Sequence, residues 1–190
     1  MALVVVLVVG LVQIDAARAD IAADNGAGPA VAARPVVRHV AAPVTLGIPT
    51  LKITDRLVGL RKQRDGTLAV PADPQRAGWY SQGPAPGDPG PAVIVGHVDS
   101  YRGPGIFNRI RTLKKNDPIR IRRADGTLAT FTVTMVRTYA KRQFPTKLVY
   151  VADKRPSLRL ITCGGEFDRR SKRYLSNTIV FATLKTQTRA

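Results

Sequence analysis

Short apolar stretches with a period of two dominate the chain from residue 44 onward. Residues 119–122 read Ile-Arg-Ile-Arg, a pattern in which one face of a strand is buried and the other is wet. An Asp-Gly turn at 124–127 follows, and residues 131–136 return as the partner strand, with Val and Thr suited to a pleated sheet. Further strands are predicted over residues 47–53, 57–60, 92–98, 158–162 and 178–182.

Helical spacing occurs in one short segment. Residues 105–113 place Ile106, Ile110 and Leu113 on one stripe and predict a short helix. Residues 81–91 contain too much Pro and Gly for a helix or a strand and predict a rigid loop. Many short strands with tight turns and little helix predict an all-β fold in the form of a closed or nearly closed barrel.

Three regions follow one another along the chain. Residues 1–12 are apolar and uncharged, but shorter than the roughly 20 residues that a spanning helix needs. Residues 17–19 have the small-x-small form of a cleavage site, so we interpret residues 1–19 as a signal peptide or signal anchor. No basic region precedes the apolar run, which suggests a true start further upstream; a core strand is the alternative. Residues 20–44 have the Ala/Pro-rich composition of a linker, and residues 45–190 form the predicted domain.

The charge of the chain is strongly positive. Lys and Arg number 30 against 13 acids, for a formal net charge of +17. Such a field attracts anionic partners, which include nucleic acids, an anionic membrane face and acidic cell-wall polymers. The basic residues lack interleaved aromatic residues, so we find no stacking platform for single strands. We expect a monomer that meets an anionic membrane or wall polymer and binds no nucleic acid.

Candidate chemistry is concentrated in one cysteine and one histidine. Cys163 is the only Cys of the chain, so it forms no intrachain disulfide and is either a buried bystander or a reactive group. His97 is the only histidine of the predicted domain, because His39 lies in the linker. Both residues end an apolar strand beside glycines. A thiolate nucleophile needs a base or a positive neighbour, so this pair predicts thiol acyl transfer. The alternative is a packed cysteine and a hydrogen-bonded core histidine.

Several motifs stand in a fixed order around these two residues. Residues 87–100 read GDPGPAVIVGHVDS, and residues 160–165 read LITCGG. In this order and spacing, the segments resemble the class F sortases from about residue 47 to residue 184. The other segments that share the resemblance are 103–107 with Leu113, 144–146, 167–168, Tyr174 and Asn177. The resemblance implies an eight-stranded β-barrel with one or two short helices, preceded by a signal anchor.

The same resemblance implies a cysteine transpeptidase. Cys163 would form a thioacyl intermediate with a C-terminal sorting signal similar to Leu-Pro-x-Thr-Gly, cleaved between Thr and Gly. His97 would protonate the leaving amine and then deprotonate the incoming one. The acyl group would pass to an amine of the peptidoglycan. The enzyme would lie at the membrane, facing outward, or be secreted.

Further residues of the site follow from the resemblance and from the strand ends. The family has an arginine on or just before the last strand; Arg173 is the predicted one and Arg169 the alternative. Thr162 and Asn177 are predicted to contact the substrate. The predicted oxyanion and backbone contacts come from Gly164 and Gly165, which directly follow the nucleophile.

Two other functions stay open at this level. One is another thiol acyltransferase such as an L,D-transpeptidase, a family in which the histidine lies shortly before the cysteine, whereas here the two are far apart. The other is a non-catalytic basic module that binds the cell wall. We find no ligand cluster for zinc or calcium and no phosphate loop, so no metal and no cofactor are predicted.

Overall fold

The computed structural model describes residues 40–151 and 154–189. The predicted signal segment, most of the predicted linker and His39 lie outside the described residues. The strands are β1 (Pro43–Ile48), β2 (Ile53–Arg56), β3 (Val58–Leu60), β4 (Ala77–Tyr80), β5 (Pro91–Gly96), β6 (Asp99–Ser100), β7 (Gly103–Pro104), β8 (Pro118–Arg123), β9 (Thr127–Ala140), β10 (Ser157–Asp168) and β11 (Arg173–Arg189). The helices are α1 (Thr146–Tyr150) and three 3₁₀ turns, Pro49–Leu51, Ile110–Thr112 and Lys141–Gln143.

One sheet wraps round to make a barrel. Its nine strands run in the order β2-β1-β8-β9-β11-β10-β5-β4-β3, and β6 pairs only with β7. The two edge strands, β2 and β3, are consecutive in the chain and are separated only by Leu57. This one extended segment therefore pairs with β1 through β2 and with β4 through β3, and it joins both edges of the sheet. Counted as one strand it gives eight, which confirms the predicted all-β barrel.

The hairpin of β8 and β9 shows why the sequence turns where it does. Gly126 has a φ of +80°, which costs glycine little. The Asp125 carboxylate accepts hydrogen bonds from the backbone N–H and the hydroxyl of Thr127, at 3.0 and 2.6 Å. The predicted turn is confirmed, and it sets the register in which Arg122 pairs with Leu128.

Alternation along the strands separates two apolar clusters. The first fills the barrel and includes Ala92 and Ile94 of β5 with Leu158 and Leu160 of β10. The second lies on the other face of the same strands, where α1 packs, and includes Val93, Val95, Val149, Ile161, Ile179 and Phe181. Residues that continue the second set along β5 and β10 therefore share one face of the sheet at the strand ends.

The strand predicted over 47–53 is wrong in its middle. β1 ends at Ile48 because Pro49 begins a 3₁₀ turn and has no N–H for the ladder. Lys52 then adopts a left-handed φ of 57°, and the chain folds back so that Ile53 pairs with Ile48. The segment is thus a hairpin.

The helix predicted over 105–113 is also wrong for most of its length. Only Ile110–Thr112 forms a 3₁₀ turn; of the predicted stripe, Ile110 and Leu113 are buried, whereas Ile106 is half-buried and its neighbour Phe107 is the buried residue. The backbone N–H of Ile106 donates to Pro74 O, and that of Phe107 donates to His97 O. The later amides form bonds of the i→i−3 kind, such as Ile110 N–H to Phe107 O and Leu113 N–H to Ile110 O, so the segment is a series of tight turns.

Candidate functional site

The sequence-predicted nucleophile and base lie at the same step beyond one parallel ladder. β5 and β10 run parallel, and their ladder ends with Val95 paired to Ile161. Cys163 and His97 each follow this pair by two residues. Cys163 continues the face of Ile161 within β10, which runs on to Asp168, so the prediction that Cys163 ends its strand is wrong. His97 directly follows Gly96, the last residue of β5.

Backbone contacts hold His97. Its carbonyl oxygen accepts a hydrogen bond of 2.8 Å from Phe107 N–H, and Gly105 packs directly against it. A Cβ at Gly105 would lie 2.4 Å from that oxygen, so only glycine fits there. The ring Nε2 lies 2.7 Å from Pro71 O. Because a carbonyl only accepts, Nε2 carries the hydrogen, and in the neutral ring Nδ1 is the nitrogen that can accept one.

A cavity of about 570 Å³ opens beside Cys163. One wall is the middle of β10, from Thr162 to Gly165, and another is Tyr174 and Thr178 of β11. The far side comes from the segment that follows β5, which contributes Val98, Asp99, Pro104, Phe107, Asn108 and Arg111. The cavity thus reaches from the thiol to the end of the barrel core.

Gly164 and Gly165, which directly follow Cys163, belong to the cavity lining. Gly165 has a φ of +73°, a left-handed conformation that bends β10 where its ladder to β11 shifts register. A Cβ at Gly164 would lie 2.4 Å from the Thr178 hydroxyl oxygen. Any larger residue there would therefore disturb Thr178, whose hydroxyl lies 3.0 Å from that of Thr138.

Cys163 is a buried thiol with charged groups of both signs nearby. Its side chain is 4% exposed, and burial raises the pKa of the thiol. The positive charge of Lys141 acts in the opposite direction and lowers this pKa, whereas the negative charge of Asp99 raises it further. A thiol with a raised pKa is protonated at neutral pH, so its reactivity depends on a base that takes the proton.

Two predicted substrate-contacting residues have unsatisfied polar atoms. Asn177 pairs with Cys163 across β10 and β11, and it is 2% exposed. Thr162 is 3% exposed and lines the cavity. Within the described part of the chain, Asn177 Oδ1 and Thr162 Oγ1 have no hydrogen-bond partner. A buried polar atom left in this way costs roughly 1–3 kcal/mol. Thr162 Oγ1 is suited to a ligand because Thr162 lines the cavity, whereas Asn177 lies beside Cys163 without belonging to the lining.

The predicted arginines lie elsewhere. Arg169 and Arg173 are exposed at the hairpin between β10 and β11, where Arg173 pairs with Asp168, and neither belongs to the cavity lining. Of the residues that the structure describes, Arg111 supplies the guanidinium that lines the cavity. It was missed because it lies 52 residues before Cys163, in a segment interpreted as a helix, and no local motif marks it.

A polar and aromatic contact borders the cavity. The Tyr174 hydroxyl donates a hydrogen bond to Asp99 Oδ2. The ring of Tyr174 packs edge-on against Phe167, with ring centroids 5.1 Å apart. The hydrogen bond to Asp99 is the main reason that the pKa of Tyr174 rises to about 12. The structure thus adds Asp99 to the site, and the signal for it in the sequence is its position two residues after His97.

Two further observations concern the described residues as a whole. No group of three or more His, Cys, Asp or Glu side chains within 40–151 and 154–189 is placed to hold a metal ion. Over the same ranges, none of the helices has the length and apolar character required to cross a membrane.

Residues 46–185 match the family described as the sortase domain. Among solved structures, the chain is similar to sortase A from Corynebacterium diphtheriae, with a TM-score of 0.59 and 20% identity over 78% of this chain and 62% of that one. It is also similar to Listeria monocytogenes sortase A, with a TM-score of 0.59 and 15% identity over 79% of this chain and 90% of that one. No curated protein sequence matches the chain.

A third similar structure is sortase E1 from Streptomyces coelicolor, described with a tripeptide in its active site. The TM-score is 0.57 and the identity 16%, over 77% of this chain and 89% of that one. At identities this low the structures establish the shared fold, and the family match over most of the chain establishes the family.

Proposed function

The chain belongs to the sortase family, and on that premise we propose that it is a cysteine transpeptidase of the class F type, with Cys163 as its nucleophile. The observation that carries this proposal is the placement of Cys163 and His97 two residues beyond the last pair of the parallel ladder between β10 and β5, with Cys163 lining a cavity. The proposed substrate is a C-terminal sorting signal similar to Leu-Pro-x-Thr-Gly. The proposed acceptor is an amine of the peptidoglycan.

In the first half of the reaction, the thiol of Cys163 gives its proton to a base and its sulfur attacks the carbonyl carbon of the Thr–Gly bond. His97 Nδ1 is the proposed base, because Nε2 is engaged with Pro71 O. The C–N bond breaks, and the same ring returns the proton to the leaving amine. Backbone N–H groups at Gly164 and Gly165 are the proposed donors to the oxyanion.

In the second half, an amine attacks the thioester carbonyl and the C–S bond breaks. His97 takes a proton from the attacking nitrogen, and the sulfur leaves as the thiolate, which Lys141 and the imidazolium stabilise. Asn177 and Thr162 are the proposed hydrogen-bonding residues for the two substrates, because Asn177 Oδ1 and Thr162 Oγ1 are buried without partners in the part of the chain that the structure describes.

The guanidinium of this reaction is proposed to come from Arg111. Position supports this choice: all three arginines are exposed, but Arg111 lines the cavity with Cys163 and Arg169 and Arg173 do not. An arginine in this place offers a fork of donors to a substrate carbonyl or to the developing negative charge.

The proposed place of action is the outer face of the cell membrane or the cell wall. The net charge of +17 supports attraction to an anionic surface.

The decisive experiment is mass spectrometry of the purified domain mixed with Leu-Pro-x-Thr-Gly peptides. We expect the domain to gain the mass of the peptide's acyl part at Cys163, and glycine-containing product to be released. Absence of both adduct and cleavage over a panel of such signals would refute the proposal. A peptide with the Thr–Gly bond replaced by an ester should give the adduct faster, because its leaving group needs less assistance.

A non-catalytic wall-binding module is the second candidate, and the burial of the Cys163 thiol favours it. Alkylation with a thiol-directed reagent separates the two. In an enzyme, His97→Ala should slow alkylation at neutral pH because the base is lost. In a module with an idle thiol, the rate should not change.

A further inference from the structure

The cavity beside Cys163 contains a carboxylate whose role the transpeptidation steps leave unassigned. Among the described residues, Asp99 is the one acid that lines the cavity. Tyr174 holds it by donating a hydrogen bond to Oδ2. Its Oδ1 has no hydrogen-bond partner in residues 40–151 and 154–189, nor does Asp99 form an ion pair there. The hydrogen bond from Tyr174 therefore orients the Asp99 carboxylate, and its Oδ1 can accept a hydrogen bond from a ligand.

A carboxylate at this place hinders the thiol. It raises the pKa of Cys163 and works against the thiolate. It also stands in a protein of net charge +17, whose field repels cations. A cationic ligand would neutralise Asp99 and so remove its unfavourable effect on the Cys163 thiolate. Such a ligand also needs a local negative group, because the net charge of the protein repels it.

A second acceptor lies in the same cavity. Thr162 is 3% exposed, lines the cavity, and its Oγ1 has no partner among the residues that the structure describes. An ammonium group has three N–H donors and can bind a carboxylate and a hydroxyl oxygen together. An uncharged peptide segment would have no need of the carboxylate.

We propose that Asp99 and Thr162 form a subsite for the ammonium group of the amine acceptor, with Tyr174 as the positioning residue for Asp99. This inference rests on the proposed transpeptidation and specifies its second substrate: a primary amine that arrives in its protonated form. Such an amine binds in the cavity within reach of the thioester at Cys163, and the departing glycine amine leaves from the same place.

The protons and electrons balance without a further reactant. The bound ammonium first passes one proton through His97 to solvent, and the neutral nitrogen then attacks the thioester carbon with its lone pair. The new C–N bond forms as the C–S bond breaks. A second proton leaves the nitrogen and ends on the sulfur, so the products are an amide and the free thiol.

Protection of Cys163 from alkylation tests the subsite without turnover. Cys163 is the only cysteine of the chain, so iodoacetamide reports on this site alone. Glycinamide, as its ammonium form, should slow alkylation of the wild-type protein in a saturable manner. Acetamide, which lacks only the amino group, should not. In Asp99→Asn, the glycinamide concentration that gives half-maximal protection should rise by about 10-fold or more, as expected for the loss of a close charge pair.

Glu166→Gln is the matched control, because it removes the same charge from an exposed residue near Cys163 that does not line the cavity. This variant should keep wild-type protection, and Tyr174→Phe should show a partial loss. Equal protection by acetamide, or equal glycinamide dependence in wild type and Asp99→Asn, would overturn the subsite. Equal weakening of protection in Asp99→Asn and Glu166→Gln would also contradict the subsite, because it would show a general effect of charge rather than binding at Asp99.

A second readout uses the acyl-enzyme. Asp99→Asn should still form the peptide adduct, but the glycinamide concentration that diverts half of it from hydrolysis to aminolysis should rise by a similar factor. An unchanged partition would contradict the subsite. Protection without any peptide adduct would refute the transpeptidation and leave the ammonium site standing, so the two failures are distinguishable.

Discussion

Cys163 and His97 stand at the same step of two parallel neighbouring strands, each two residues beyond the last pair of the ladder between β10 and β5. Cys163 thus projects from β10, and His97 is held directly after β5 by the hydrogen bond from Phe107 N–H to its carbonyl oxygen. Preorganisation of this kind reduces the entropy lost when the proposed nucleophile, the proposed base and a peptide meet. Substitutions at the site should therefore change chemistry more than stability.

Cys163→Ala should abolish peptide cleavage and acyl-adduct formation. The change removes one buried sulfur, so the free energy of unfolding should fall by only about 1 kcal/mol. Cys163→Ser should also be nearly inactive, because a hydroxyl is much harder to ionise than a thiol. Peptide turnover and thermal unfolding measure the two effects. Wild-type turnover in Cys163→Ala would end the assignment of the nucleophile.

The reactivity of Cys163 should rise with pH with a midpoint above that of a free thiol. Burial raises the pKa of this thiol, and Lys141 partly offsets the shift. Lys141→Met should therefore move the midpoint upward, and Asp99→Asn should move it downward. The rate of alkylation by iodoacetamide as a function of pH is the measurement. Lys185→Met, which removes an exposed charge further along β11, is the control and should leave the midpoint in place.

The same shift has a signed effect on stability. Because the pKa of Cys163 is higher in the folded state, the unfolded chain loses the thiol proton first as pH rises. The contribution of Cys163 is complete below the pKa of the unfolded thiol and is lost as pH climbs through the folded value. Wild type should thus lose stability relative to Cys163→Ala in this alkaline window; a difference that stays constant with pH would contradict it.

Arg111→Ala should lower kcat/KM for a sorting-signal peptide by ~100-fold, about 2.7 kcal/mol of transition-state stabilisation. The residue lines the cavity, and its loss removes the proposed donors to the substrate. Arg111→Lys should recover little, because an ammonium cannot reproduce the planar fork. Arg173→Ala and Arg169→Ala should have mild effects. If Arg173→Ala gave the largest loss of kcat/KM, the substrate-binding arginine would be Arg173 in the hairpin, as predicted from the sequence.

The sequence predicted those parts of the fold that depend on local chemistry. The Asp125–Gly126 turn and the alternation in β8 and β9 are encoded within a few residues, so they could be recognised without a structure. Cys163 and His97 could be paired because each ends an apolar stretch of sequence beside glycine. What a local pattern cannot reveal is a hydrogen bond to a distant segment, and the amide of Ile106, bonded to Pro74 O, illustrates this.

Long-range contacts also decide the parts of the site that were missed. Arg111 enters the cavity because the 3₁₀ turn at Ile110–Thr112 packs on the barrel end, and Asp99 becomes part of the site through Tyr174, which lies 75 residues away. Closure of the barrel through Leu57 depends on two pairings, β1 with β2 and β3 with β4. Neither the placement of Arg111 nor the closure through Leu57 has a sequence signature, and the position of Asp99 two residues after His97 does not reveal its bond to Tyr174.

Gly105→Ala should impair the enzyme through His97. The new Cβ would lie 2.4 Å from the His97 carbonyl oxygen, a backbone atom that cannot move alone. We expect a loss of about 1–3 kcal/mol in stability, and a fall in turnover of about 100-fold through displacement of the base. Gly59→Ala is the control, because a Cβ there meets nothing within 4 Å. Wild-type turnover in Gly105→Ala would show that the position of His97 is not critical.

Association with the cell surface should depend on salt, whereas catalysis should not. The net charge of +17 acts over distances at which mobile ions screen strongly, with a Debye length of roughly 8 Å at physiological ionic strength. The purified protein should bind an anionic wall polymer at low salt and release it at high salt. Cleavage of a short neutral peptide should change little over the same range, because Cys163 is buried and its interactions are weakly screened.

In cells, the protein should be recovered with the membrane or wall fraction and be accessible to external protease. Recovery from the cytosol, together with polymer binding that ignores salt, would contradict the proposed location.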